Sequence, residues 1–352
     1  MVHFVKISTS EQAIIQSVQH NCDISDANFA GNYTLCIYLL KMREYYRWEK
    51  KLAFDDNFEK KEMTNWLRNR EKSWDQIIDD ELQPVVIGNK SFDPFAINDI
   101  NQHLENQQLF YHAGIGRGSA QHFFVAELLE QQFRNNIRIT ICGKEYARDL
   151  TSPPAMFNGE DIIIRSESLK RILWERYQEW HWHQNESSMG KALTAYPFEH
   201  SIADALDEMV AVEQNTLIQH ELGEMEISKS IGQSWPTILI NILGTKAELL
   251  ARAVRDHLAD CESTLPFLIR QNNNAAIHFY FANLSHLRKQ LFPAVMSSYE
   301  AGVKNGGWLE MSELLILAAS HWTELLNEIT ALDSSDNNLQ KKIVSLCESA
   351  SL

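Results

Sequence analysis

From residue 8 to residue 82 the chain carries a single glycine, Gly31, and no proline. Glycine and proline are the strongest local obstacles to a long helix, so their near absence among helix-favouring residues predicts a helical opening. Between 83 and 168 the pattern changes. Pro84-Val85-Val86-Ile87-Gly88, Ile137 to Gly143 and Asp161-Ile162-Ile163-Ile164-Arg165 read as short strands between turn residues, the last two able to pair in a small sheet. From Leu169 onward helical patterning returns, with breaks near Gly190, Pro197, Gly232 to Pro236, Pro266, Asn272 to Asn274, Pro293 and Gly302 to Gly307. The expected fold is therefore mainly α (α+β), a multi-helix bundle-like body with a small β insertion around residues 83–168. Its segments are a helical 1–82, a small α/β 83–168 and a helical 169–352. At about 150 residues per domain they pack as one or two compact domains.

Charge and composition narrow the function. The net charge is −15, which repels phosphate backbones and anionic lipid, so the expected partner is a small-molecule substrate rather than nucleic acid or membrane. The ten basic residues between 41 and 72 are interleaved with seven acidic ones, the pattern of a salt-bridged helix face rather than a nucleic-acid track. No stretch approaches the roughly 18 apolar residues of a membrane span, and the start lacks a basic region followed by an apolar run, which reads as cytoplasmic. The five cysteines are dispersed and include no C-x-x-C pair. Reduced thiols are expected, not a disulfide framework or a thiolate zinc site, and Cys142 reads as a small buried thiol.

Residues 29 to 48 are apolar on most sides and read as a central core helix. The stripe Tyr33, Ile37, Leu40, Glu44, Trp48 puts the Glu44 carboxylate where an apolar side chain belongs. Such a group is either a metal ligand or proton-transfer group, or is ion-paired with Arg43, Arg47 or a neighbouring helix.

The strongest constellation lies on a helix expected over 201–227. Ser201 with Asp204 resembles a capping box, and Gly232 lies past the end. The apolar stripe Ile202, Leu206, Met209 continues through Glu213, Leu217, His220, Glu224 and Ile227, so three ionisable side chains share its direction. His220 and Glu224, one turn apart, can ligate one ion; Glu213 is about 10 Å further along the axis and reaches it only obliquely. Glu44 and His278 are the candidate ligands from facing helices. The H-E-x-x-H helix of zinc proteases is matched only at His220-Glu221, Glu224 replacing the second histidine, and no histidine follows a glutamate at the Glu-x-x-His spacing of di-iron bundles. Carboxylate and imidazole donors without thiolates favour a divalent metal, iron or manganese over zinc. Glu221 is the candidate base, and Tyr280 a candidate redox or hydrogen-bonding group. Asp256 and His257 have Arg252 and Arg255 at helical reach, which gives the acid an ion-pair explanation.

A glycine-rich turn, Gly114-Ile-Gly116-Arg117-Gly118-Ser119, followed by an expected helix over 120–133 with Ser119 as N-cap, suggests an anion-binding loop of Gly116, Arg117, Gly118 and Ser119 with His112 beside it. Its substrate would carry an anionic head-group. Together these features predict a metal-dependent enzyme, a non-haem iron or manganese oxidoreductase. The alternatives are a metal-dependent hydrolase and a non-catalytic acidic interaction module, the last using amphipathic segments such as Leu339 to Leu346.

Overall fold

The structure, a computed structural model, describes residues 9–116, 119–134, 136–157, 161–183 and 186–352. It is mainly α with a small curled sheet, 65% helical and 14% strand. No helix among the described residues is long and apolar enough to cross a membrane. Two compact units divide the chain: residues 1–154 with 163–174, and residues 155–162 with 175–352.

In the first unit, helices α1 (Thr9–Phe29), α2 (Leu35–Lys50) and α3 (Lys60–Asp75) precede a two-stranded hairpin, β1 (Val85–Ile87) and β2 (Lys90–Phe92), and helix α4 (Ile97–Leu104). The main sheet follows, with β3 (Leu109–Ile115), β4 (Gln121–Arg134) and β5 (Ile137–Arg148) antiparallel in sequence order. After β6 (Ala155–Phe157), strand β7 (Asp161–Arg165) runs beside β5, the neighbour expected from sequence. Cross-strand partners share a face, so Tyr111 with Val125 and Ala113 with Phe123 form one apolar surface. The α1 stripe Ile14, Val18, Cys22 covers it at helical spacing, and Ile100 and Leu104 of α4 complete this core.

Two sequence readings are corrected here. Of residues 120–133, expected as a helix, all from Gln121 on belong to β4. Glu127, Leu128, Leu129, Glu130 and Gln131 favour helix locally, yet Glu127 pairs with β3 and Leu128, Glu130 and Gln131 pair with β5, and pairing outweighs a propensity of a few tenths of a kcal/mol per residue. Residues 29–48 are not one central helix. A 3₁₀ turn at Ala30–Asn32 separates α1 from α2, and the first turns of α2 are exposed, Leu35 at 70% and Ile37 at 47%. Only its later half, Met42 and Tyr45, is fully buried, against Trp74 and Leu150.

The second unit contains the later turns of α5 (Ser166–His183), then α6 (Ser188–Leu193), α7 (Ile202–Ile231), α8 (Ser234–Asn241) and α9 (Lys246–Ala259). A π-turn, Asp260–Thr264, leads without a break into α10 (Leu265–Arg270). Helices α11 (Asn274–Asn283), α12 (His286–Leu291), α13 (Pro293–Asn305), α14 (Leu309–Thr330) and α15 (Leu339–Ser349) follow. Helix α7 starts where expected: the Ser201 hydroxyl accepts the Asp204 amide at 3.2 Å, and Gly232 ends the helix at φ +64°. Its core joins α9, α14 and α15 around the fully buried Trp322. Leu339, Ile343 and Cys347 put the apolar face of α15 inside this core, so the segment expected to dock on another chain is packed within its own unit. Ile343→Ala should destabilise the protein by about 2–4 kcal/mol, as deletion of buried methyl groups does. The check is a lower urea midpoint with an unchanged m-value.

Candidate metal centre

The π-turn originates at Pro266. Proline offers no amide proton and crowds the carbonyl four residues earlier, so regular α-helical bonding fails there. The Leu265 amide bonds instead to the Asp260 carbonyl, five residues back. This widened turn swings the Asp260 side chain toward α7. The Gly223 backbone makes the approach close: a Cβ at Gly223 would sit 3.0 Å from the Ala259 carbonyl oxygen and 3.0 Å from Ser263 Cβ. The Ser263 hydroxyl donates to the Gln219 carbonyl at 2.7 Å, clipping turn to helix.

His220 occupies the junction. Its Nδ1 lies 2.8 Å from Asp260 Oδ1, and its Nε2 lies 3.2 Å from Glu224 Oε1. Donor atoms of His220, Glu224 and Asp256 all fall within 4.8 Å of one another, the spacing of ligands around one ion. Behind them Asp260 is almost wholly buried, and its Oδ2 accepts the Tyr280 hydroxyl at 2.6 Å and the Arg288 guanidinium. His257 supports Arg288: its Nε2 is 3.1 Å from the Arg288 carbonyl and its Nδ1 3.3 Å from the guanidinium. Its ring lies flat on Trp322, centroids 5.1 Å apart. Burial, then the Arg288 charge, push His257 down to about 3, so it is the neutral tautomer that donates through Nε2.

Electrostatics follow from these contacts. Burial alone would raise Asp260, but Arg288 and His220 outweigh it and hold the carboxylate far below its ordinary range. Burial likewise opposes charge on His220, yet Asp260 and Glu224 raise it well above 6.5. Glu224 is brought down to about 2, against its own desolvation, by the His220 hydrogen bond and by Arg255, whose Nη2 is 2.7 Å away. Glu221, directly after His220 on α7, is pushed up to about 7 by burial and then by the Glu224 charge.

The expected site residues thus separate. His220, Glu224, Glu221 and Tyr280 converge near the π-turn, whereas the other expected ligands do not join them. Glu213 is buried further along α7, its Oε1 without a hydrogen-bond partner among the described residues. Its two-turn offset from His220 is too long for one ion. His278 turns to the Tyr299 hydroxyl, 2.9 Å from Nδ1, with its ring edge-on to Trp308. Glu44, in the first unit, is ion-paired with Arg43 at 2.8 Å and Arg47 at 3.5 Å. The helix expected to follow the anion loop is strand β4, and Gly116 and Ser119 lie in the β3–β4 connection; Arg117 and Gly118 lie outside the described residues. His112 is buried in β3 beside His122, ring centroids 5.6 Å apart, and burial pushes it down to about 3, leaving it uncharged. Cys142 is buried, as expected.

Sequence reasoning set Asp256 aside and missed Asp260 and Arg288. Arg252 pairs with Glu248 at 2.8 Å, which leaves Asp256 to Arg255 and the cluster. Pro266 inside a helical run was the one signal that could have drawn attention to Asp260.

Two outcomes are expected. Gly223→Ala should destabilise by about 1–3 kcal/mol through overpacking, although alanine is the better helix former by about 1 kcal/mol; thermal denaturation reads the sign. Burial pushes Glu213 up to about 8 from an ordinary 4.5, so the folded chain binds that proton more tightly than the unfolded chain. Its contribution to stability is therefore fully present below the unfolded pKa and is lost as pH rises through the folded one. Relative to wild type, Glu213→Gln should gain on the order of 3–5 kcal/mol between about pH 5 and pH 8.5, measured by urea midpoints across that range.

Residues 13–165 match the N-terminal domain, and residues 170–350 the C-terminal domain, of a family of unknown function, DUF6866. No curated protein and no solved structure matches the chain. The chain belongs to the DUF6866 family across both of its domains.

Proposed function

We propose that the protein is a metal-dependent enzyme, a non-haem iron or manganese oxidoreductase whose single ion is held by His220, Glu224 and Asp256. The reading is carried by three donor atoms within 4.8 Å, one of them an imidazole anchored through its other nitrogen by Asp260. A carboxylate behind a ligating histidine fixes ring orientation and raises ligand basicity. The three side chains keep 24%, 16% and 25% exposure while Asp260 keeps 1%. An ion can therefore enter from solvent and displace the His220 proton, with coordination positions left for water or substrate. Nitrogen and oxygen donors without sulfur suit iron and manganese. Glu221, beside His220 on α7, would serve proton transfer when the ion is bound, and Tyr280 would act through Asp260 and His220.

Elemental analysis of protein purified without a metal-affinity column tests this. The wild type should hold about one equivalent of iron or manganese. His220→Ala and Asp256→Ala should lose it while remaining folded by circular dichroism, and Glu213→Ala should retain it. Stoichiometric zinc instead would turn the reading to a hydrolase with Glu221 as base. The contact of Arg255 with Glu224 favours a second reading, a metal-free ion-paired network joining α7 to α9. No metal uptake on anaerobic reconstitution, with Glu224→Ala costing about 3–5 kcal/mol of stability, would establish that reading and remove the first.

A further inference from the structure

Two of the three side chains of the proposed centre already hold a cation. Arg255 Nη2 lies 2.7 Å from Glu224 Oε1 and 3.3 Å from Asp256 Oδ1. That same Glu224 oxygen is 3.2 Å from His220 Nε2. A guanidinium therefore bridges the two carboxylates at the oxygen that also meets the imidazole. Its hold is not the strongest that arginine can make. Both contacts run through Nη2 rather than through the two-nitrogen fork of a bidentate pair, and Nε is buried with no hydrogen-bond partner among the described residues. The guanidinium carbon is 5.9 Å from the centre of the Trp235 ring, at the limit of a cation–π contact.

An ion bound through Glu224 Oε1 at a metal–oxygen distance of roughly 2.0–2.2 Å would stand within about 5 Å of Nη2. Two positive centres that close in a partly buried setting repel, so arginine and ion compete for the same oxygen. We propose that Arg255 is a built-in competitor for the metal, holding Glu224 and Asp256 together until a divalent cation replaces it. The proposal rests on the metal reading of His220, Glu224 and Asp256, and it makes the ion-paired network joining α7 to α9 the closed state of that centre rather than its rival. A binding-competent state populated only in part weakens apparent affinity by that fraction, so Arg255 sets the metal concentration at which the centre opens. The opposite role has the opposite sign: an arginine that steadied a metal-bound carboxylate from behind would strengthen metal binding.

Calorimetric titration of the full chain with Mn²⁺ separates the two roles, with each variant first checked for folding by circular dichroism. Arg255→Gln, which removes the charge and keeps hydrogen-bonding capacity, should bind Mn²⁺ at least about 10-fold tighter than wild type, as follows when the closed state holds about nine-tenths or more of the chains. Arg255→Lys keeps the charge and should stay nearer to wild type than to Arg255→Gln. A second readout needs no substitution. Phenylglyoxal modification of wild type, followed by peptide mass spectrometry, should run severalfold faster at Arg255 when Mn²⁺ is bound, because a guanidinium released from two carboxylates loses its proton more readily. Mn²⁺ binding to wild type with equal or weaker binding to Arg255→Gln would overturn the competitor role and leave the metal centre standing. Modification of Arg255 that bound Mn²⁺ leaves unchanged or slows would do the same. No Mn²⁺ binding to any of the three proteins would overturn both.

Discussion

One carboxylate, Asp260, organises the second unit. It is 1% exposed and ionised, a state that costs several kcal/mol unless the charge is met directly. Three donors meet it from three helices: His220 of α7, Tyr280 of α11 and Arg288 of α12. Each donor is committed by this single acceptor, so the positions of those helices relative to the π-turn are coupled through it. The Pro266 defect aims Asp260, and the bare Gly223 backbone lets α7 come close enough to receive it. The chemistry proposed for His220 depends on that geometry, because the Nδ1 contact is what leaves Nε2 facing Glu224 and Asp256.

Buried charge in the first unit follows the same rule with a different result. Arg165 is fully buried, donates from Nε to Glu145 at 2.8 Å and from Nη2 to the Ser152 hydroxyl at 2.9 Å, and lies 4.1 Å over the Phe124 ring. Glu145 in turn accepts the Ser168 hydroxyl at 2.5 Å. These partners lie deep in the unit, so the network holds strand and helix ends together and leaves no donor set at the surface. The π-turn network differs in grading from a buried anchor to donors that keep 16–25% exposure, and that gradient makes it the candidate for chemistry.

Much of this could be read from residue order. The mainly α body, its β insertion, the start of α7 at Ser201 and the polar interruptions of its stripe follow from breakers, capping chemistry and a 3.6-residue period, all of which are local. Where local signals misled, a neighbour distant in sequence had decided the outcome. Helix formers at 127–131 became strand because β5 pairs with Leu128, Glu130 and Gln131 and β3 with Glu127, and the apolar start of α2 stands exposed while its later half is buried under Trp74 and Leu150.

The candidate site divides in the same way. The sequence determined that Glu213, His220 and Glu224 share one side of a helix, since periodicity alone fixes direction around an axis. Only the tertiary structure decided which of them meet a partner. His220 and Glu224 face Asp260 and Asp256 across the packing of α7 on α9, Glu213 passes beyond that contact, and Glu44 and His278 are taken by Arg43 and Tyr299. A helical period says where a side chain points, whereas a site requires donors from several elements within a few ångströms. That convergence is set by the crossing of helices and by the cost of leaving a buried charge unmatched.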